Sequence, residues 1–131
     1  MFNIYVNFFM NNIYFIIAFV FFFVADFVLG FSNAYKNNEI SSKKMKLGGF
    51  KFAGYMFIIL GCIMFDVMLY TGSELELFSN ISPIAKISIA MICFNEFISN
   101  LENADKLGIT IPAPLKKLIS LKETLTDGKD E

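Results

Sequence analysis

Histidine is absent from this chain, which removes imidazole ligation of haem or zinc and the commonest general base. Arginine is absent too, so ion pairing by an acid inside an apolar stretch is left to lysine. Cysteine is scarce: Cys62 and Cys93 form no C-x-x-C and no extracellular disulfide framework, and both read as small packing residues within apolar stretches. A net charge of −1 lacks the basic footprint of a nucleic-acid binder. No nucleophile–base pair, phosphate-cradling glycine loop or metal-ligand spacing occurs, so no enzyme activity, cofactor or metal site is expected. The N-terminus has no charged n-region and no A-x-A-like site behind its apolar run, so that run is read as retained.

What the chain has instead is apolar residues in continuous blocks. It is 56% hydrophobic, with 17 Phe, and the blocks do not follow amphipathic periods. Three of them, at residues 13–35, 52–70 and 84–101, are read as membrane spans. Residues 13–29 hold six Phe, three Ile, three Val and one Leu. These contribute about −5 kcal/mol of insertion free energy, against about +3 kcal/mol for Asp26 at mid-membrane. The second block would form roughly 28 Å of helix, close to the hydrocarbon thickness, with Gly72 as its stop. The third is weakest, its Ile and Phe contributing about −3 kcal/mol. It opens at Ser82-Pro83, with Pro in the first helical position, and Lys86 can snorkel. The expected fold is all-α and membrane-integral: three transmembrane helices plus a short C-terminal amphipathic helix, in one domain over residues 1–131.

Loop charges orient the spans. Residues 33–51 carry Lys36, Lys43, Lys44, Lys46 and Lys51 against Glu39, whereas residues 71–83 carry Glu74 and Glu76 and no lysine. The positive-inside rule places the first loop in the cytoplasm, the N-terminus outside, and residues 102–131 in the cytoplasm.

Each block also carries an acid: Asp26, Asp66 and Glu96. An ionised side chain at membrane depth faces protein or water rather than lipid, so these three mark helix contacts or the lining of a membrane lesion. Asp26, Gly30, Asn33 and Asn37 share one helical face, and Gly30 with Ala34 makes a small-xxx-small pair. Gly54 and Gly61, seven apart, form a close-approach stripe on another face from Asp66, which suggests two neighbours for that helix. In the third block Ser88, Ile92, Asn95, Ser99, Glu102 and Lys106 repeat at 4-3-4-3-4 spacing, flanked by Glu96 and Asn103. This stripe is either a helix seam or wet face, or simply the part of a helix that emerges into the cytosol.

Beyond the third block, Gly108 is a natural helix stop and Ile111-Pro112-Ala113-Pro114 reads as extended. Leu115, Leu118, Ile119 and Leu125 then face Lys116, Lys117 and Lys122, a segment suited to the inner membrane surface. Lys43, Lys44 and Lys46 join Lys116 and Lys117 as basic membrane-surface residues, and residues 127–131 read as a solvated tail.

The run from Asn95 to Pro112, N-E-x-x-S-x-x-E-N-A-x-x-L-G-x-x-I-P, followed by P-L-K-K-L from Pro114, resembles the signature end of a phage holin family. That family includes phi29-like and clostridial holins and the holin-like proteins that release large clostridial toxins. Asp26-x-x-x-Gly30-x-x-x-Ala34, then Ser41-Ser42-Lys43-Lys44 and Gly48, is similar to its first-half pattern, and the resemblance covers about residues 20–120. It implies a non-enzymatic protein that gathers as a homo-oligomer in the bacterial cytoplasmic membrane. There it would open non-specific lesions for a phage endolysin or a large toxin, its partners being copies of itself and the lipid bilayer. The tail departs from the family's dense basic end, since Asp127, Asp130 and Glu131 offset Lys129. Two other readings stay open: an antiholin or other regulatory membrane partner, and a subunit of a small ion-coupled carrier.

Overall fold

The computed structural model describes residues 2–72 and 83–128. Glu74, Glu76 and Ser82, and the charged end 129–131, lie outside the described residues. Those described form five helices and no strand: α1 (Phe2–Asn11), α2 (Ile13–Lys36), α3 (Ser42–Gly72), α4 (Pro83–Lys106) and α5 (Ala113–Asp127). Three of them, α2, α3 and α4, are long and apolar enough to cross a membrane.

The expected spans differ from the helices at their ends, for a physical reason. Hydropathy marks where lipid is tolerated, whereas caps mark where a helix begins and stops. Asn38 takes a left-handed φ of 55°, which asparagine tolerates, and closes α2 as the Glu39 N–H donates to the Ala34 carbonyl at 2.8 Å. The Ser41 hydroxyl then accepts the Lys44 N–H at 3.3 Å as an N-cap. α3 therefore starts at Ser42, ten residues before the apolar run at 52, and Lys43, Lys44, Lys46 and Lys51 stand on the helix rather than in a loop. α4 starts at Pro83 and continues to Lys106, past the expected 101. Gly108, at φ 84°, stops it, with the Gly108 N–H on the Asp105 carbonyl at 2.9 Å and the Ile109 N–H on the Ala104 carbonyl at 3.0 Å.

The N-terminal residues, read from sequence only as uncharged, form α1. Asn12 is fully buried between α1 and α2, and its side-chain Nδ2 donates to the Phe8 carbonyl at 2.7 Å. This bond satisfies a carbonyl where the helical ladder changes course. α1 lies against the far end of α3, with the Phe8 and Tyr70 rings 5.5 Å apart.

α4 packs on both α2 and α3. The core joins Phe8, Ile16 and Phe19 to Ile59, Ile63 and Val67 and to Ala85, Ile89 and Ile92. α2 and α3 meet through rings: Phe19 lies 5.9 Å from both Phe52 and Tyr55, and Phe23 lies 5.0 Å from Phe52. Rings of this size hold the two backbones apart and leave α4 to close the bundle. The outward faces are apolar as well. Ile17, Phe21, Val24 and Val28 recur at 4-3-4 spacing and are exposed, as are Ile87, Met91 and Phe94 on α4. In water such faces would form a continuous sticky patch; around spanning helices they meet lipid.

Gly54 and Gly61 do not serve the close approach expected of them. A Cβ added at either would meet nothing within 4 Å, so among the described residues neither admits another element of this chain.

Candidate functional site

Lys51 on α3 reaches between two acids from the other spanning helices. Its Nζ lies 2.7 Å from Glu96 Oε1 on α4 and 3.5 Å from Asp26 Oδ2 on α2. Glu96 is 1% exposed, while the Lys51 side chain keeps 41% of its surface and reaches over the Tyr55 ring, 5.6 Å from its centroid. A lysine can do this because its stem lies along apolar surface while its ammonium finds a polar partner. One ammonium thus serves two carboxylates at the point where three helices converge.

The layer extends through two asparagines. Asn103 Nδ2 donates to Asp26 Oδ1 at 3.0 Å, and Asn100 Nδ2 donates to the Phe22 carbonyl at 3.2 Å. Glu96, Asn100 and Asn103 stand at 4-3 spacing, so the polar face that α4 turns toward α2 runs beside the expected stripe rather than along it. Two buried oxygens of this layer, Glu96 Oε2 and Asn100 Oδ1, have no hydrogen-bond partner among the described residues. A buried polar network is costly unless each member finds a partner, in protein or in water.

Gly30 opens space for this layer. A Cβ there would sit 3.6 Å from Asn103 Nδ2, an ordinary contact, so the glycine admits a side-chain amide rather than a second backbone. Gly30 and Ala34 also line a cavity of about 230 Å³ with Asp26, Phe31, Lys44 and Asn103. Gly30→Ala should leave the bonds intact and raise helix stability by roughly 0.5–1 kcal/mol through lost backbone entropy. Thermal unfolding in mild detergent checks this; a lower melting temperature would show that the space is tighter than described.

Asp66 forms the second polar feature, at the other end of the bundle. It is 1% exposed, and its two oxygens accept the first backbone donors of α4: the Ile84 N–H on Oδ1 at 3.1 Å and the Ala85 N–H on Oδ2 at 2.8 Å. The carboxylate of one helix therefore caps the positive end of the next, where unsatisfied N–H groups and the helix dipole both favour an anion. Ala85, itself fully buried, leaves room for the approach. Fifteen residues of α3 separate Lys51 from Asp66, which puts the two polar features ~22 Å apart, less than the ~30 Å hydrocarbon core of a bilayer.

The remaining expected residues are distributed differently. Cys62 Sγ donates to Ser88 Oγ at 3.3 Å, so the upper part of the α4 stripe contacts α3. Asn95 is exposed beside α5, Ser99 is half-buried, and Glu102 Oε1 lies 3.4 Å from Lys122 Nζ. Lys116 Nζ lies 3.7 Å from Asp105 Oδ1; Lys43, Lys46 and Lys117 are exposed; and Lys44 lies 3.3 Å from Glu39. Sequence reasoning passed over Lys51 as a bridging cation, since it was counted with the loop lysines, and over Asn100. The usable signal for Asn100 was its i+4 offset from Glu96.

No curated protein and no solved structure matches the chain. A model of the bacteriophage holin family matches residues 4–123, which takes in all three spanning helices, both polar features and most of α5. With that match over most of its length, the chain belongs to the bacteriophage holin family.

Proposed function

We propose that this protein is a lesion-forming holin of the phi29-like and clostridial type, without enzymatic activity. It gathers in the bacterial cytoplasmic membrane with its N-terminus outside and its C-terminus inside. Copies associate and open non-specific lesions that let a cytoplasmic endolysin, or a large toxin, leave the cell. The family match over residues 4–123 carries this reading.

The bundle's chemistry supports it. Three helices bury one ion layer, and the layer is incompletely satisfied at Glu96 Oε2 and Asn100 Oδ1. In hydrocarbon such groups favour further helices or water. Copies that shift α4 against α2 would bring both within reach, and the acids Asp26 and Glu96 would then line the contact or its wet side. The lysines at one end of α2 and α3 fit the cytoplasmic leaflet, whose negative potential attracts them.

The test is induced expression in bacteria that also make a cytoplasmic reporter enzyme. A sudden loss of the folded reporter to the medium after a lag is expected. Leakage of small ions alone would favour the carrier subunit, and harmless accumulation would favour an antiholin or other regulatory partner.

A further inference from the structure

One ammonium cannot balance two carboxylates. Lys51 sits 2.7 Å from Glu96 but 3.5 Å from Asp26, so Asp26 is the less compensated of the pair. Its Oδ1 takes the Asn103 amide and its Oδ2 the distant lysine. A carboxylate has about four lone-pair sites, so acceptor capacity is left over. Asp26 also keeps 16% of its side-chain surface, and it lines the cavity of about 230 Å³ between α2, α4 and the start of α3.

The same cavity carries the opposite charge elsewhere on its wall. Ser41 and Lys44 line it, and seven residues of α3 separate Lys44 from Lys51, or ~10 Å toward the lysine-bearing end. The Ser41 hydroxyl oxygen accepts the Lys44 N–H, which leaves its O–H free to donate outward. Lys44 is paired with Glu39 at 3.3 Å, but both side chains are more than half exposed, and such a pair exchanges readily. Phe27, Phe31 and Met45 line the cavity and are also exposed, so it opens onto the apolar outer face of the bundle. An anion would meet Asp26 and a simple cation would meet Lys44. A zwitterion satisfies both, and one on an apolar stem suits the walls.

We propose that this cavity binds the phosphoethanolamine head of a membrane lipid, with its ammonium on Asp26, its phosphate beside Ser41 and Lys44, and its tails leaving past Phe27 and Phe31. The three N–H donors of a primary ammonium match the open sites on Asp26, and the aromatic walls exclude water and favour the cation. The proposal rests on the helices lying in a membrane and not on lesion formation.

The experiment takes the full chain from vesicles holding equal parts of phosphatidylethanolamine, phosphatidylcholine and phosphatidylglycerol into mild detergent, and measures the retained lipids by mass spectrometry. Phosphatidylcholine has the same phosphate and net charge but no N–H on its ammonium. The ethanolamine lipid should be retained roughly tenfold over the choline lipid, the scale of one charge-assisted hydrogen bond. Asp26→Asn should abolish that preference. So should Ala34→Leu, which fills the cavity and leaves the ion layer untouched. Lys44→Gln should weaken retention of both lipids, through their common phosphate, and keep the ratio between them. Equal retention of the ethanolamine and choline lipids, stronger retention of phosphatidylglycerol than of either, or a ratio unchanged in Asp26→Asn or in Ala34→Leu overturns the proposal. So does free phosphoethanolamine that raises the melting temperature as far as the lipid does, which would assign the cavity to a soluble zwitterion. Lipid retention is read whether or not the reporter leaks, so failure of this site and failure of the holin reading are separate outcomes.

Discussion

Replacing Lys51 by methionine is expected to destabilise the bundle by about 2–3 kcal/mol. The substitution keeps the stem's packing and removes the charge, so Glu96, 1% exposed, is left as a buried carboxylate without its cation, 2.7 Å away in the intact protein. The value falls toward the lower end for broken buried pairs because the lysine keeps 41% of its surface, so part of the interaction is already screened. Removing both partners should hurt less than removing one. Lys51→Met combined with Glu96→Gln is expected to recover more than 1 kcal/mol relative to Lys51→Met alone, since the orphaned charge is gone. Lys51→Arg should stay near the parent. Thermal unfolding of the four proteins in the same mild detergent measures the cycle. If Lys51→Met melts with the parent, the ion layer does not hold these helices together.

Asp66→Ala is expected to cost about 2–3 kcal/mol and to act locally at the start of α4. Two backbone donors, at Ile84 and Ala85, lose charge-assisted bonds of 3.1 and 2.8 Å, and fully buried Ala85 gains no water in exchange. Asp66→Asn keeps one acceptor and should cost about half as much. Amide hydrogen exchange separates this from general loosening: residues 84 and 85 should exchange far faster, while the middle of α2 stays protected. Unchanged exchange at those amides would mean that α4 is capped by other means.

These two features explain why each spanning helix tolerates an acid. Asp26 and Glu96 share a lysine, and Asp66 meets a helix end instead of a cation. With no arginine or histidine in the chain, lysine is the cation left to an intramembrane carboxylate, and the bundle adds backbone N–H groups at Asp66 and the Asn103 amide at Asp26. A consequence is that the apolar slab between the polar features is thin, ~22 Å along α3.

The sequence alone determined the class of this protein: three helices able to span a membrane, the acid within each, the start of α4 at Pro83 and its stop at Gly108, and the family resemblance carried by residues 95–118. All of these are local. Insertion is a sum over neighbouring residues, and a cap depends on three or four positions along the chain. Tertiary structure alone decided the partners. Lys51 read as one loop lysine among five until α3 began ten residues early and turned it toward Glu96. Asp66 found its donors 18 and 19 residues on, and the α4 stripe divided between α3 and α5 while Gly54 and Gly61 faced open space. Which side chains meet depends on how far each helix is rotated and how deep it sits, and one residue of rotation is about 100°. That angle is set by packing Phe19, Phe23 and Phe52 between the helices, a condition on all of them at once that no single stretch of sequence contains.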